Sequence, residues 1–221
     1  MRQPSNLRAL RAAWRAADDA VQPRDTPCFT LTNAVTPKLY VYDMIGGFDG
    51  DATEFVQAVH GIKASSLDLH INSPGGFVYD AVAMFEALDA SPAAINVHID
   101  GLAGSAASFL AMVGDTIDIA KGGRMMIHDA QMVGIGGPAD LREMADLADE
   151  VSNDIAGYYA ARAGGSPASW RKSMNATTWY SAQQAVDAKL VDRVAGKHIS
   201  GPDNRTRLIQ ARARALTTQG G

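Results

Sequence analysis

Cysteine is nearly absent. Cys28 is the single one in 221 residues, which excludes an intrachain disulfide framework and fits a reducing compartment. No apolar run reaches the roughly 18 residues that a membrane span needs, so no span and no membrane partner are expected. The N-terminus carries arginines without an apolar stretch behind them, and Asp18 and Asp19 follow soon after. No signal peptide is therefore expected, and a cytoplasmic location is the default. Neither Gly-x-Gly-x-x-Gly nor Gly-Lys-Ser/Thr occurs, which removes the dinucleotide and P-loop readings. His, Cys, Asp and Glu nowhere show metal-ligand spacing along the chain, so neither metal nor other cofactor is expected. Positive charge is also not in excess. A net charge of −4 argues against a general nucleic-acid binder.

What is present is ordinary for a globular chain, 47% hydrophobic and 20% charged, and long enough for one domain with a substantial core. Three regions are expected. Residues 1–25 form a basic amphipathic extension, with Leu7, Leu10 and Trp14 at helical spacing beside Arg8, Arg11 and Arg15. Such a helix docks on a partner or an anionic surface, or packs on its own domain or a neighbouring subunit. Residues 26–199 carry the main domain. Residues 200–221 form an arginine-containing tail, read as flexible.

Within the main domain, strand and helix patterns alternate. Strands are expected at Lys38–Asp43, Leu67–Asn72, Ile95–Ile99, Ile117–Ala120, Arg124–His128 and Leu190–Val194. Helices are expected at Asp51–Val59, Val78–Leu88, Ser105–Val113, Pro138–Arg162 and Ala182–Ala188. The long one carries Leu141, Met144, Leu147, Val151 and Ile155 as its apolar stripe. Short strand–helix–strand connections imply an α/β domain with mostly parallel pairing.

Four stretches hold residues suited to chemistry. Ile71-Asn-Ser-Pro-Gly-Gly76 ends a strand; its glycines allow close backbone approach, although Ser-Pro-Gly-Gly is also plain turn chemistry. Gly101-Leu-Ala-Gly-Ser-Ala-Ala-Ser108 lies where a strand becomes a helix. There Ser105 is a candidate nucleophile with the Ala106 N–H beside it, or simply an N-cap in a tightly packed small-residue turn. Ser108, one turn on, suits a bond back to a carbonyl of its own helix. Met125-Met-Ile-His128 puts one of five histidines at a strand end, and a serine hydroxyl needs such a base to become a nucleophile. Gln131-Met-Val-Gly-Ile-Gly-Gly137 is a glycine-rich loop or an edge strand able to pair with an extended peptide.

In this order, these pieces resemble the proteolytic subunit of the Clp protease. The likeness runs from about Lys38 to Val194 and includes Ser181-Ala182, Ala185-Val186 and Leu190-Val191-Asp192. The wording of Leu39–Gly47 and of Thr178-Trp-Tyr-Ser-Ala182 is most similar to the head maturation (prohead) proteases of phages and prophages. The resemblance implies a ClpP/crotonase-like α/β fold of repeated β-β-α units with a protruding handle helix at Pro138–Arg162. It implies a serine endopeptidase with Ser105 as nucleophile, His128 as general base, and the N–H groups of Gly76 and Ala106 as the oxyanion hole. Substrate would lie extended along Gly75, Phe77 and Val78 on one side and Met132, Val133, Gly134 and Ile135 on the other. Homo-oligomeric rings are implied, acting on polypeptides such as capsid or scaffold proteins in the host cytoplasm or within a procapsid. With no ATP motif in the chain, unfolding would need a partner ATPase.

One departure stands out. The family's third catalytic residue is an acid, and its position here falls on Thr177. A hydroxyl, the Asn175 amide oxygen or a carbonyl can orient an imidazole, but none carries the charge that stabilises imidazolium. Asp129 adjoins His128, yet neighbouring strand residues point to opposite faces. A weak or inactive assembly scaffold is therefore the main alternative. A crotonase-type acyl-CoA enzyme is weaker, because no acid lies in Gly101–Ser108. A Ser–Lys signal-peptide-peptidase arrangement is weakened by His128 and by the lack of a membrane segment.

Overall fold

The computed structural model describes residues 28–32, 35–46 and 51–196; the expected N-terminal extension and C-terminal tail lie outside them. The elements follow in order: β1 (Phe29–Thr32), β2 (Lys38–Val41), α1 (Asp51–His60), β3 (Ser66–Ser73), α2 (Val78–Asp89) and β4 (Ala94–Gly104). Then come α3 (Ala106–Leu110) with a 3₁₀ turn at Ala111–Val113, β5 (Thr116–Ile119), β6 (Arg124–Ile127) and α4 (Pro138–Ala163). The chain closes with α5 (Pro167–Asn175), β7 (Thr178–Ser181), α6 (Ala182–Asp187) and β8 (Arg193–Val194).

Among the described residues the strands build one eight-stranded sheet in the order β1-β2-β3-β4-β5-β8, with β6 joined to β4 and β7 to β6. The pairs β1–β2 and β6–β7 are antiparallel and the other five ladders parallel. The expected mixed α/β arrangement is thus present. Alternation along the strands explains the layering. Leu67, Leu69 and Ile71 of β3 and Ile95, Val97 and Ile99 of β4 are buried, while the residues between them are polar and face the other way.

Strand β4 is longer than its apolar alternation suggests and serves two partners. Its residues Asn96–Ile99 pair with β5, and Leu102–Gly104 pair with β6. Between these halves, the β3–β4 register shifts between Ile71 and Ser73. Asn72 Oδ1 accepts from Leu102 N–H there at 3.1 Å. A Cβ on Gly101 would sit 2.4 Å from that oxygen, so this position has no room for a side chain while the bond is made.

The apolar stripe of α4 is only partly covered. Ile155 and Tyr159 are buried, whereas Leu141 and Leu147 are 47% and 40% exposed. Helical periodicity marks an apolar face but not what covers it. The covered end is held by Tyr159, whose hydroxyl lies 2.8 Å from Ser108 Oγ. Burial pushes this phenol well above its ordinary pKa, so it stays neutral. In α3, Phe109 stacks on Phe85 with centroids 4.9 Å apart, and Tyr158 of α4 packs edge-on against both rings.

Phe109 is 1% exposed at the centre of this aromatic cluster. Phe109→Ala is expected to lower unfolding free energy by about 3–5 kcal/mol through lost burial and the cavity left behind, read as a shift in urea midpoint at constant slope.

Candidate active site

The chain leaves β4 at Gly104 and turns sharply. Ser105 has φ 51° and ψ −126°, a conformation that L side chains rarely adopt and that persists only when surroundings enforce it. The surroundings are visible. Ser105 N–H donates to Met126 O at 2.8 Å, and Ser105 O accepts from Ser108 N–H at 2.9 Å and from Ser108 Oγ–H at 2.6 Å. Ser108 thus makes the back-bond its position suggested. Ser105 Oγ lies 2.7 Å from His128 Nε2. His128 follows β6 directly, and β6 is the strand that pairs with the end of β4. One ladder therefore sets the serine–histidine distance.

The Ile71–Gly76 stretch lies against the same turn. Ser73 Oγ–H donates to Asp43 O at 2.6 Å, and Gly75 N–H donates to Ser73 Oγ at 3.1 Å. Gly75 has φ 99°, and a Cβ there would meet Gly104 O, Ser105 Cβ and Ala106 N at 2.6–2.8 Å. Gly76 forms a parallel bridge with Ile45, made by Ile45 N–H to Gly75 O and Phe77 N–H to Ile45 O. The Gly76 N–H therefore points away from Ile45, and no described residue accepts from it or from Ala106 N–H. The offset that pairs Ser73 with Ala103, carried forward, sets Gly76 opposite Ala106. Two free donors on facing turns beside Ser105 form a cradle suited to an oxyanion.

The expected substrate segments fare differently. Gly75, Phe77 and Val78 lie at the cradle's edge, at the start of α2. Met132, Val133, Gly134 and Ile135 form no strand; the segment is irregular, and Val133 and Ile135 are 57% and 58% exposed. Gly134 is pressed on Met144 and Leu141 of α4, where a Cβ would meet Met144 Sδ at 2.4 Å. Ala130 N–H donates to Ser152 Oγ at 2.9 Å, which ties the segment's root to the same helix.

Thr177 stands where antiparallel pairing carries it. The last β6–β7 pair is Ile127↔Thr178, so one further step sets Thr177 across from His128. Its φ is 51°, shared among non-glycine described residues only with Ser105 and, at 61°, Lys189. A β-branched residue is strained there, whereas Asp and Asn tolerate it. No described residue hydrogen-bonds His128 Nδ1. Asp129 is engaged elsewhere, with Arg171 Nη1 at 2.6 Å and Asn175 Nδ2 at 3.2 Å, and Arg171 also reaches Asp149 of α4 at 2.8 Å. Asn175 thus gives an amide N–H to Asp129. Sequence reading passed over Asn72, Ser73, Arg171 and Tyr159, which hold the site from behind. The Ile-Asn-Ser-Pro-Gly-Gly wording already contained the first two.

The sheet also brings together what chain spacing kept apart. Asp68 and His70 on β3 and His98 on β4 each offer a ligand atom within 4.8 Å of the others. Spacing along the chain does not reveal this group, because its members meet only through the register of two paired strands.

The Clp protease family model matches residues 51–198, about two thirds of the chain. The chain is 29% identical over 133 residues to ATP-dependent Clp protease proteolytic subunit 3 of Streptomyces coelicolor, covering 59% of this chain and 61% of that one. It is 31% identical over 135 residues to proteolytic subunit 2 of Corynebacterium diphtheriae, covering 58% and 65% respectively. Against proteolytic subunit 2 of Rhodococcus jostii the identity is 30% over 138 residues, covering 59% and 68%. The chain thus spans slightly less than two thirds of the length of the first of these relatives. The match takes in the Gly75–Gly76 turn, Ser105, His128 and the long α4, and on it the chain belongs to the Clp protease family.

Proposed function

We propose that this chain is a self-assembling serine endopeptidase. The observation that carries this reading is the 2.7 Å contact between Ser105 Oγ and His128 Nε2, made by a serine held in a strained turn. Ser105 Oγ attacks the scissile carbonyl carbon while its proton passes to His128 Nε2. The carbonyl oxygen takes up the negative charge and is held by the N–H groups of Gly76 and Ala106. Collapse of this intermediate expels the amine, which leaves with the proton from His128. A water then gives its proton to His128 and attacks the Ser105 ester, which releases the second product and restores the site. Extended substrate runs between the Gly75–Val78 edge and the Met132–Ile135 segment.

The relatives are named as ATP-dependent proteolytic subunits. By analogy, this chain forms homo-oligomeric rings through α4, whose outer Leu141 and Leu147 are open for a neighbour. The finer reading is processing of phage capsid or scaffold proteins, within the host cytoplasm or a procapsid. It is supported by the wording of Leu39–Gly47 and Thr178–Ala182. A second reading is an assembly scaffold with little turnover. It is favoured by Thr177 in the acid position and by the lack of a described partner at His128 Nδ1.

Three outcomes are expected. Ser105→Ala abolishes both peptide hydrolysis and labelling by a fluorophosphonate probe, and a wild-type chain that forms rings without labelling supports the scaffold reading instead. Thr177→Asp raises kcat at least about tenfold, a small part of the roughly 10⁴ that an acid contributes to a triad, and a single-turnover assay reads it. Gly76→Ala, whose Cβ would lie 2.0 Å from Ile45 O, lowers kcat by about 10²-fold or more by displacing an oxyanion donor, with secondary structure checked by circular dichroism.

A further inference from the structure

The core-averted face of the sheet carries a grid of polar side chains. Register aligns Tyr40, His70, His98 and Asp118 in one row across β2 to β5, and Lys38, Asp68, Asn96 and Thr116 in the row beside it. Within this grid the two histidines are set unlike surface histidines. The His70 ring is stacked between Tyr40, at 4.7 Å and 17°, and His98, at 4.8 Å and 27°, so it cannot swing freely. His70 Nδ1 lies 2.7 Å from Asp100 Oδ2, which also accepts from Tyr42 O–H at 2.5 Å.

A carboxylate accepts and does not donate, so the hydrogen of a neutral His70 resides on Nδ1 and Nε2 carries a lone pair. That Nε2 is buried and has no hydrogen-bond partner among the described residues. A buried nitrogen lone pair without a donor calls for an explanation. His98 stands between two carboxylates at ion-pair rather than hydrogen-bond distance. Its Nδ1 faces Asp118 Oδ2 at 3.9 Å and its Nε2 faces Asp68 Oδ1 at 3.8 Å. Asp68 Oδ1 accepts from Asn96 Nδ2 at 3.2 Å, and Oδ2 lies 3.7 Å from the Lys38 ammonium. His70 therefore backs onto a carboxylate through Nδ1, and the candidate ligand carboxylate is itself hydrogen-bonded. This outer-shell pattern orients metal ligands and fixes their tautomers.

We infer that Asp68, His70 and His98 form a site for one borderline divalent transition-metal cation of the zinc class. It is bound through His70 Nε2, His98 Nε2 and an Asp68 carboxylate oxygen, with water completing a tetrahedron. Two imidazoles and one carboxylate form a donor set that suits Zn²⁺ over Mg²⁺ or Ca²⁺. Zinc–nitrogen bonds near 2.0–2.1 Å place tetrahedral ligands about 3.3 Å apart. The present spread of up to 4.8 Å exceeds that by about 1.5 Å, so binding draws the three side chains together by that amount. The inference is independent of the reading of Ser105, because none of the three ligands bonds Ser105 or His128.

The test is titration of the full chain, stripped with chelator and dialysed, with Zn²⁺ in a calorimeter and with Co²⁺ by visible absorption. The expected result is one ion per chain, with the intense visible bands of tetrahedral Co²⁺. His70→Gln and His98→Gln each weaken binding at least tenfold, and Asp100→Asn weakens it about 10–100-fold through the histidine it orients. His60→Gln leaves it unchanged. Asp68→Asn, which preserves shape, serves as the ligand variant should a histidine variant fail to fold. Absence of saturable one-to-one binding overturns the inference, as does wild-type affinity in the folded ligand variants or binding lost on His128→Gln.

Discussion

The backbone of Gly75 presses directly on the Gly104–Ser105–Ala106 turn, with no side chain between them. Much of the site follows from this contact. It lets the ends of two adjacent parallel strands approach closely enough for their next amides to face one cavity. It requires glycine at position 75, because a methyl group there would lie inside the van der Waals radius of three atoms of the facing turn. It also needs a clamp on each side, supplied by the Ile45 bridge to Gly75 and Phe77 and by the Met126 carbonyl on Ser105 N–H. The small residues therefore act in both ways at once: they pack, and by packing they put the hydroxyl and the amides in place.

Behind this contact the helices hold the strand ends. Ser108 joins the Ser105 carbonyl to the Tyr159 hydroxyl, so the serine turn is tied to α4 through one oxygen. On the histidine side, Asp129 and Arg171 connect the residue after His128 to α5, and Arg171 goes on to Asp149 of α4. Nucleophile and base thus stand on different strands but share one long helix as a common support. Pairs such as Arg171–Asp129 are partly exposed and contribute modestly to stability; their effect here is positional.

Much of the fold was legible in sequence, for identifiable reasons. Strands β2, β3 and β5 and helices α1, α2 and α4 carry strong periodicity, and their observed limits lie close to those expected. The omissions were β1, α5 and β7, all short. Helix α5 nevertheless announced itself by Ser166 as N-cap and Pro167 in its first turn. Leu190 and Val191, expected in the last strand, are buried ahead of it, and only Arg193 and Val194 join the ladder. The long β4 was cut short because Gly101-Leu-Ala-Gly104 does not look like a strand; partner exchange, a property of the whole sheet, makes it one. The pairing of Ser105 with His128 was legible through the family resemblance that the motif order carries. The gathering of Asp68, His70 and His98 was not, because residues 28 apart along the chain become neighbours through cross-strand register, which no local pattern encodes.

Ser105 is fixed at both of its backbone hydrogen-bonding groups, the N–H by one strand and the carbonyl by the following helix. What remains mobile in the residue is a single rotor, χ1, which turns the oxygen toward or away from His128. The conformational search preceding attack is thereby reduced to one dimension. The backbone entropy that a free seryl peptide would lose on reaching attack geometry has already been lost in folding. The unfavourable φ of that residue is the form in which the protein carries this prior ordering.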